Sequence, residues 1–125
     1  MIDIKVRKME NSSYDIIGKM VSGIIDRPIG SSHPNYPDMI YPINYGYVEN
    51  VFANDGEEQD VYVFGTNVPI KNFKGKVIAV YHRINDIEDK WIVSINGENY
   101  SDEEILEKIH FQEKYFEGYL VRNGK

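Results

Sequence analysis

The chain has 125 residues, is 42% hydrophobic and 13% aromatic, and carries a formal net charge of −6. This length predicts one compact domain over residues 1–125, with residues 1–13 as a peripheral N-terminal segment. The acidic balance argues against nucleic acid or an anionic membrane as the main partner. Because the sequence contains no cysteine, disulfides, thiolate metal sites and cysteine nucleophiles are excluded.

Two features of the hydropathy pattern bear on location. The sequence has no run of about 18 or more apolar residues, so we expect no membrane span. Residues 1–13 alternate charged and apolar residues and lack the apolar segment of a signal peptide. We therefore expect a cytoplasmic protein.

Apolar runs separated by turn residues predict a series of strands. The predicted strands are residues 14–26, 43–52, 61–65, 77–82 and 91–95. Pro28 and Gly30 end the first of them, and proline-rich or polar segments separate the others. The predicted regular structure before residue 96 is therefore entirely β-strand.

One helix is predicted near the C-terminus. Ser101 followed by Glu104 forms a capping box, which is typical of a helix start. Ile105, Ile109 and Phe116, with Phe111 or Gln112 between them, recur at helical spacing. Strands followed by a helix predict a mainly β (α+β) fold, in which a small β-barrel or curled sheet carries one packed C-terminal helix.

Two acidic loops join predicted strands. Asp55, Glu57 and Asp60 surround the first turn, and their spacing does not fit an EF-hand calcium loop. Acidic side chains beside a core are costly unless a positive group lies among them. A solvated hairpin turn explains this segment equally well.

The second acidic loop precedes the last predicted strand. It carries Asp86, Glu88 and Asp89, followed by Lys90. An exposed charged hairpin is again an alternative interpretation. Since loops at one end of a small barrel converge, the two loops together predict a site for a hard cation such as Mg²⁺, which prefers carboxylates, waters and substrate phosphates.

The segment 26–34 supplies candidate phosphate ligands. Arg27 can bind phosphate oxygens in a bidentate manner, and His33 can donate a hydrogen bond to an anion. The alternatives are a salt bridge from Arg27 to Asp26 or to the acidic loops, and an ordinary loop histidine at His33. Tyr45 lies on an extended segment, where it is either a core residue or a phenol that faces a charged site.

Two spaced motifs resemble those of the soluble (family I) inorganic pyrophosphatases. Residues 41–47 (YPINYGY) and 55–61 (DGEEQDV) are similar to the family pattern Y-P-x-N-Y-G-[YF] followed by D-G-D-x-x-D-V. Residues 88–90 (EDK) are similar to its E-D-x-K segment with one residue missing. The resemblance covers residues 20–116 and identifies the chain as a short, divergent member.

The resemblance implies an OB-like closed β-barrel that hydrolyses inorganic pyrophosphate to two phosphates. The implied cofactor is Mg²⁺ or another divalent cation, the implied partner is a small-molecule phosphate substrate, and the implied assembly is a homo-oligomer. The implied metal ligands are Asp55, Glu57, Asp60, Asp86 and Asp89. The implied catalytic carboxylates are Glu57 and Asp60, which take a proton from water, and the implied phosphate contacts are Tyr45, Lys90 and Tyr115.

Departures from the family pattern leave alternatives open. Glu57 stands where the family has aspartate, and Phe116 stands where it has lysine. A shortened hairpin removes further cations, for which Arg27 and His33 are the nearest substitutes. The alternatives are a related phosphohydrolase that acts on a larger ester or anhydride, a non-catalytic barrel that binds phosphate or a protein, and a barrel stabilised by calcium.

Overall fold

The computed structural model describes residues 14–53, 56–84 and 88–123. The segment 1–13 and the predicted ligands Asp55 and Asp86 lie outside the described residues. Within them, strands are β1 (Met20–Arg27), β2 (Asn44–Phe52), β3 (Glu58–Phe64), β4 (Asn72–Arg83), β5 (Asp89–Ser94) and β6 (Gly118–Val121). Helix α1 spans Asp102–Glu113.

The first five strands close into a barrel. Their order around the ring is β1-β2-β3-β5-β4, and β4 pairs back to β1. Strands β3 and β5 are parallel and the other ring pairs are antiparallel. Strand β6 adds to β4 outside the ring. The prediction of a mainly β fold with a closed barrel and a C-terminal helix is therefore confirmed.

Alternation along the strands separates a barrel interior from an outer face. In β3, Val61 and Val63 belong to an apolar cluster that draws on all the ring strands, whereas Tyr62 and Phe64 pack on the opposite side. The interior cluster comprises Ile25, Val48, Val61, Val63, Phe73, Val77, Val80, Trp91 and Val93. Burial of these side chains from water stabilises the closed ring.

Helix α1 covers part of the outer face. Ile105 and Ile109 are buried against outward-facing side chains that include Tyr62. The predicted capping box is confirmed, because the Ser101 hydroxyl accepts from the Glu104 N–H and the Glu104 carboxylate accepts from the Ser101 N–H. None of the described residues belongs to a helix long and apolar enough to span a bilayer.

The sequence predictions were wrong in extent by the largest margins at α1, β1 and β4. Phe116 does not continue the helical face, because α1 ends at Glu113 and the chain turns into β6, which no pattern predicted. Residues 14–19 precede β1 and are not part of it. Strand β4 begins at Asn72 and not at residue 77, because its polar first half pairs with β1.

Gly46 explains why the motif in β2 requires a glycine. A Cβ atom on Gly46 would lie 1.9 Å from the Ile24 carbonyl oxygen of the neighbouring strand. We expect Gly46→Ala to lower the free energy of unfolding by about 3 kcal/mol, since backbone atoms on two paired strands must separate. Urea denaturation measures the effect, with the exposed Glu49→Ala on β2 as control. Equal midpoints for the two variants would contradict the expectation.

Candidate active site

A cleft of about 970 Å³ opens between the outer face of the barrel and the end of α1. Its floor comes from the strands, one wall from residues 111–116, and its rim from the loop 33–40. Six of the residues predicted to form a site line this cleft: Arg27, His33, Tyr45, Asp60, Lys90 and Tyr115. The structure thus brings together residues that lie up to 88 positions apart in the chain.

Lys90 organises the floor of the cleft. Its side chain is only 4% exposed. Its ammonium donates to the Tyr45 hydroxyl at 2.9 Å, to Asp60 Oδ2 at 2.7 Å and to Glu88 Oε2 at 2.8 Å. Burial alone would lower the pKa of Lys90, but the electrostatic attraction of these oxygens outweighs it and raises that pKa. The ammonium therefore stays charged and holds two carboxylates and a phenol together.

Carboxylates on and beside the cleft floor offer the oxygen ligands that a divalent cation prefers. Asp60 is 29% exposed and lines the cleft. Desolvation raises the pKa of Asp26; the positive charge of Arg27 opposes this shift, while the negative charge of Asp60 adds to it. Such partly solvated carboxylates fit Mg²⁺ in kind. Within residues 14–53, 56–84 and 88–123, however, no three acidic or histidine side chains converge closely enough to hold a metal by themselves.

Glu88, which the sequence placed in the second acidic loop without a ligand role, contacts the lysine of the cleft. Its carboxylate accepts from Lys90 at 2.8 Å and from Arg83 Nη1 at 3.2 Å. The adjacent Asp89 carboxylate instead accepts from His82 Nδ1 at 2.7 Å, and the His82 ring packs on the Tyr119 ring. Neighbouring residues of an extended segment point to opposite sides. The structure therefore places Glu88, and not Asp89, beside the cleft lysine.

The other described metal candidate, Glu57, lies in the turn before β3. It is exposed and does not line the cleft. The Glu57 carbonyl accepts from the Ala53 N–H at 2.8 Å, and Gly56 adopts a positive φ of 84°. This geometry is that of a tight turn, which favours glycine because it has no Cβ. The metal-binding and catalytic roles of Glu57 stay predictions.

A buried ion pair ties the barrel to the end of α1. Arg83 Nε and Nη2 donate to the two Glu113 carboxylate oxygens, each at 2.8 Å. The two side chains are only 5% and 4% exposed. The guanidinium carbon lies 3.6 Å from the centroid of the Phe116 ring, which covers it in a cation–π contact. The Phe116 ring thus covers the guanidinium of Arg83.

Hydrogen bonds continue from this ion pair to Arg27 on the far side of the cleft. The Tyr62 hydroxyl donates to Glu113 at 2.6 Å and accepts from Gln112 at 2.6 Å. The Tyr41 hydroxyl donates to Gln112 at 2.8 Å and accepts from Arg27 Nη1 at 2.6 Å. Arg27 therefore has a phenol as its hydrogen-bond partner. Among the described residues, it forms no structural ion pair with a neighbouring acidic side chain.

His33 lies at the rim beside Arg27. Its Nδ1 accepts from the Asn35 N–H at 3.0 Å, so Nε2–H is its remaining donor. Desolvation, together with the positive charge of Arg27, lowers the pKa of His33. The imidazole is therefore neutral at pH 7 and can donate one hydrogen bond into the cleft without adding charge.

Lys114 is a second cleft residue that no motif indicated. It is exposed, lines the cleft and lies 5.4 Å from the centroid of the Tyr115 ring. No carboxylate of the described residues forms an ion pair with its ammonium. Lys114 therefore supplies positive charge near the position where Phe116 replaces the family's lysine.

Comparison with known proteins connects this geometry to a family. The sequence model of the inorganic pyrophosphatases matches residues 4–121. Inorganic pyrophosphatase from Bacillus sp. (strain PS3) is 35% identical over 75 residues, which cover 48% of this chain and 44% of that relative. The match thus spans less than half the length of that protein.

Solved structures of inorganic pyrophosphatases share the fold. The protein from Ehrlichia chaffeensis has a TM-score of 0.63 at 19% identity, over 85% of this chain and 87% of the other. The protein from Thermus thermophilus has a TM-score of 0.63 at 17% identity, over 84% and 83% of the two chains. These two likenesses bear on the fold alone, whereas the family match covers most of the sequence. The chain therefore belongs to the inorganic pyrophosphatase family.

Proposed function

We propose that this protein is an inorganic diphosphatase that hydrolyses pyrophosphate to two phosphates with Mg²⁺ as its cofactor. The observation that carries the proposal is the convergence of Tyr45, Asp60 and Glu88 on the ammonium of Lys90, at the floor of a cleft that Arg27 also lines. Family membership supports the same reaction. We also propose one domain, a cytoplasmic location and, by resemblance, a homo-oligomer.

Cations and neutral donors of the cleft would bind the substrate oxygens. Arg27 uses one nitrogen for Tyr41, which orients the guanidinium and leaves its other N–H groups for phosphate. Lys114 adds a positive charge, and the hydroxyl of Tyr115, which is 64% exposed, can donate a hydrogen bond. His33 supplies one further neutral donor. These groups would replace the phosphate-binding cations that the shortened hairpin lacks.

Carboxylates on the described strands and on the two acidic loops would hold the metal. The proposed metal ligands are Asp60 and Glu88, with Asp26 nearby and Asp55, Glu57 and Asp86 as predicted from the sequence. The sequence also predicted Asp89 as a ligand, but its carboxylate lies 2.7 Å from His82 Nδ1, so we do not propose it as one. Bound Mg²⁺ neutralises substrate charge and lowers the pKa of a coordinated water.

The residues of the floor would act as general base and would stabilise negative charge on the phosphates. The Asp60 carboxylate, which Lys90 orients at 2.7 Å, would accept the proton of the attacking water as general base. Burial raises the pKa of Tyr45, so its phenol stays protonated and can stabilise a phosphate oxygen as a donor. Lys90 would place a fixed positive charge opposite the charge that develops on the leaving phosphate.

A phosphate-release assay with the purified chain tests the proposal. We expect release from pyrophosphate with Mg²⁺ and loss of that release when a chelator removes the metal. Binding of pyrophosphate without release, in the presence of any divalent metal, would contradict the proposal and favour a non-catalytic barrel. A rise in melting temperature with Ca²⁺, again without hydrolysis, would favour a structural calcium site.

His33 gives a prediction about pH dependence. Its lowered pKa means that it loses its proton below the ordinary histidine range of about 6.5. We therefore expect His33→Gln, which keeps an N–H donor, to leave the pH profile of kcat/KM unchanged between about pH 6.5 and 8. Steady-state phosphate release across this range measures it. Disappearance of an inflection near neutral pH in the variant would show that His33 titrates during turnover.

A further inference from the structure

The cleft is much larger than inorganic pyrophosphate requires. Its volume of about 970 Å³ lies near the upper end of the roughly 300–1,000 Å³ of sites that take drug-sized organic ligands. Pyrophosphate is small and has no apolar part. The cations and acids described above occupy the floor, whereas the rim adds aromatic and small polar side chains beyond what the oxygens of a bare pyrophosphate need.

An aromatic shelf forms this rim. Tyr36 is 62% exposed, and its ring centroid lies 5.0 Å from that of His33. Backbone hydrogen bonds fix the loop, because the His33 N–H donates to Met39 and the Met39 N–H donates to Tyr36, both at 2.9 Å. Because these hydrogen bonds order the loop before binding, the loop does not lose conformational entropy when a ligand binds.

The chemistry of the rim selects the kind of organic group. Tyr36, His33 and Tyr115 offer ring faces, and the exposed side chains of Asn35 and Asp38 on the same rim offer hydrogen-bonding groups. A nucleobase has aromatic faces and a polar edge, whereas an alkyl chain has neither. The cations nearest the rim would meet the phosphates of the same molecule.

We propose that the cleft takes a phosphoanhydride that carries a nucleobase, in its simplest form a nucleoside diphosphate, with the base on Tyr36 and the phosphates on the floor. This inference rests on the proposed function and names its substrate class. The oxygen of water would bond to the terminal phosphorus, and the bond from that phosphorus to the bridging oxygen would break. The electron pair stays on the bridging oxygen, the water proton passes to Asp60, and the products are a nucleoside monophosphate and phosphate.

Calorimetric binding to the full chain with Mg²⁺ tests this proposal without turnover. The probes are the methylene-bridged analogue of adenosine diphosphate and methylenediphosphonate, which lacks the nucleoside. We expect the nucleotide analogue to bind about tenfold tighter, in line with the stacking of one base on an aromatic side chain. Tyr36→Ala should remove this advantage. Tyr119→Ala, an exposed tyrosine on β6 outside the cleft lining, should keep it.

Three results would overturn the inference. They are equal or weaker binding of the nucleotide analogue in the parent protein, an unchanged nucleotide advantage in Tyr36→Ala, and an equal loss for both probes in Tyr36→Ala. The proposed hydrolysis and the proposed substrate class can each fail without the other. Absence of phosphate release would sink the hydrolysis but leave the binding comparison valid, and hydrolysis of pyrophosphate without a nucleotide advantage would sink only the substrate class.

Discussion

Asp60→Asn is expected to lower kcat for phosphate release from pyrophosphate by at least about 10³-fold. The change removes the negative charge of a proposed metal ligand and also the proposed general base. Asparagine has nearly the same shape as aspartate, and its amide oxygen can still accept from Lys90. The fold should therefore survive. Steady-state phosphate release with Mg²⁺ measures the loss, and urea denaturation checks the fold.

Asp15→Asn is the matched control for this experiment. Asp15 is an exposed aspartate that does not line the cleft, so its replacement should leave kcat unchanged. Turnover by Asp60→Asn within a few-fold of the parent protein would sink the assignment of Asp60. Loss of activity accompanied by a lowered unfolding midpoint would attribute the effect to folding and would equally contradict the expected result.

Glu113→Ala is expected to lower the free energy of unfolding by about 3–5 kcal/mol, because it leaves the buried Arg83 guanidinium without its bidentate partner. The change also removes the acceptor of the Tyr62 hydroxyl. Urea denaturation monitored by circular dichroism measures the change. Glu107→Ala provides the control on the same helix, since Glu107 is exposed.

The double variant Arg83→Met with Glu113→Leu separates the effect of ion pairing on stability from the effect of side-chain packing. Apolar replacement of both members of a buried ion pair is often nearly neutral, since no charge is then left unpaired. We therefore expect the double variant to recover most of the stability that Glu113→Ala loses. A Glu113→Ala variant as stable as Glu107→Ala would show that the pair does not hold the end of α1 to the barrel.

Local signals made most of the fold predictable. The capping box at Ser101 and the alternating apolar residues around Val61 identify their elements from a few neighbouring positions. Strand β6 and the polar first half of β4 lack such signals. Lys74 and Lys76 are in a strand because they pair with β1, some 50 residues earlier in the chain. Tertiary pairing of this kind leaves no periodic pattern in the sequence.

The site was predictable to the extent that its residues lie in spaced motifs. Tyr45, Asp60 and Lys90 were predicted as site residues and meet through hydrogen bonds. Glu88 was noted in the second acidic loop, but the resemblance assigned the ligand roles of that loop to Asp86 and Asp89. Counting two positions back from Lys90 along an extended chain would have indicated Glu88. The partnership of Arg83 with Glu113 is separated by 30 positions and gave no sequence signal.

We propose that the outer face of the barrel beneath α1 is the catalytic surface. The most direct test compares kcat/KM for pyrophosphate, measured as Mg²⁺-dependent phosphate release, between Glu88→Gln and Asp89→Asn. The claim predicts a loss of about 10²-fold or more for Glu88→Gln, whose carboxylate meets Lys90 at 2.8 Å, and nearly parental activity for Asp89→Asn. A large loss for Asp89→Asn with parental activity for Glu88→Gln would place the catalytic groups on the other side and contradict the claim.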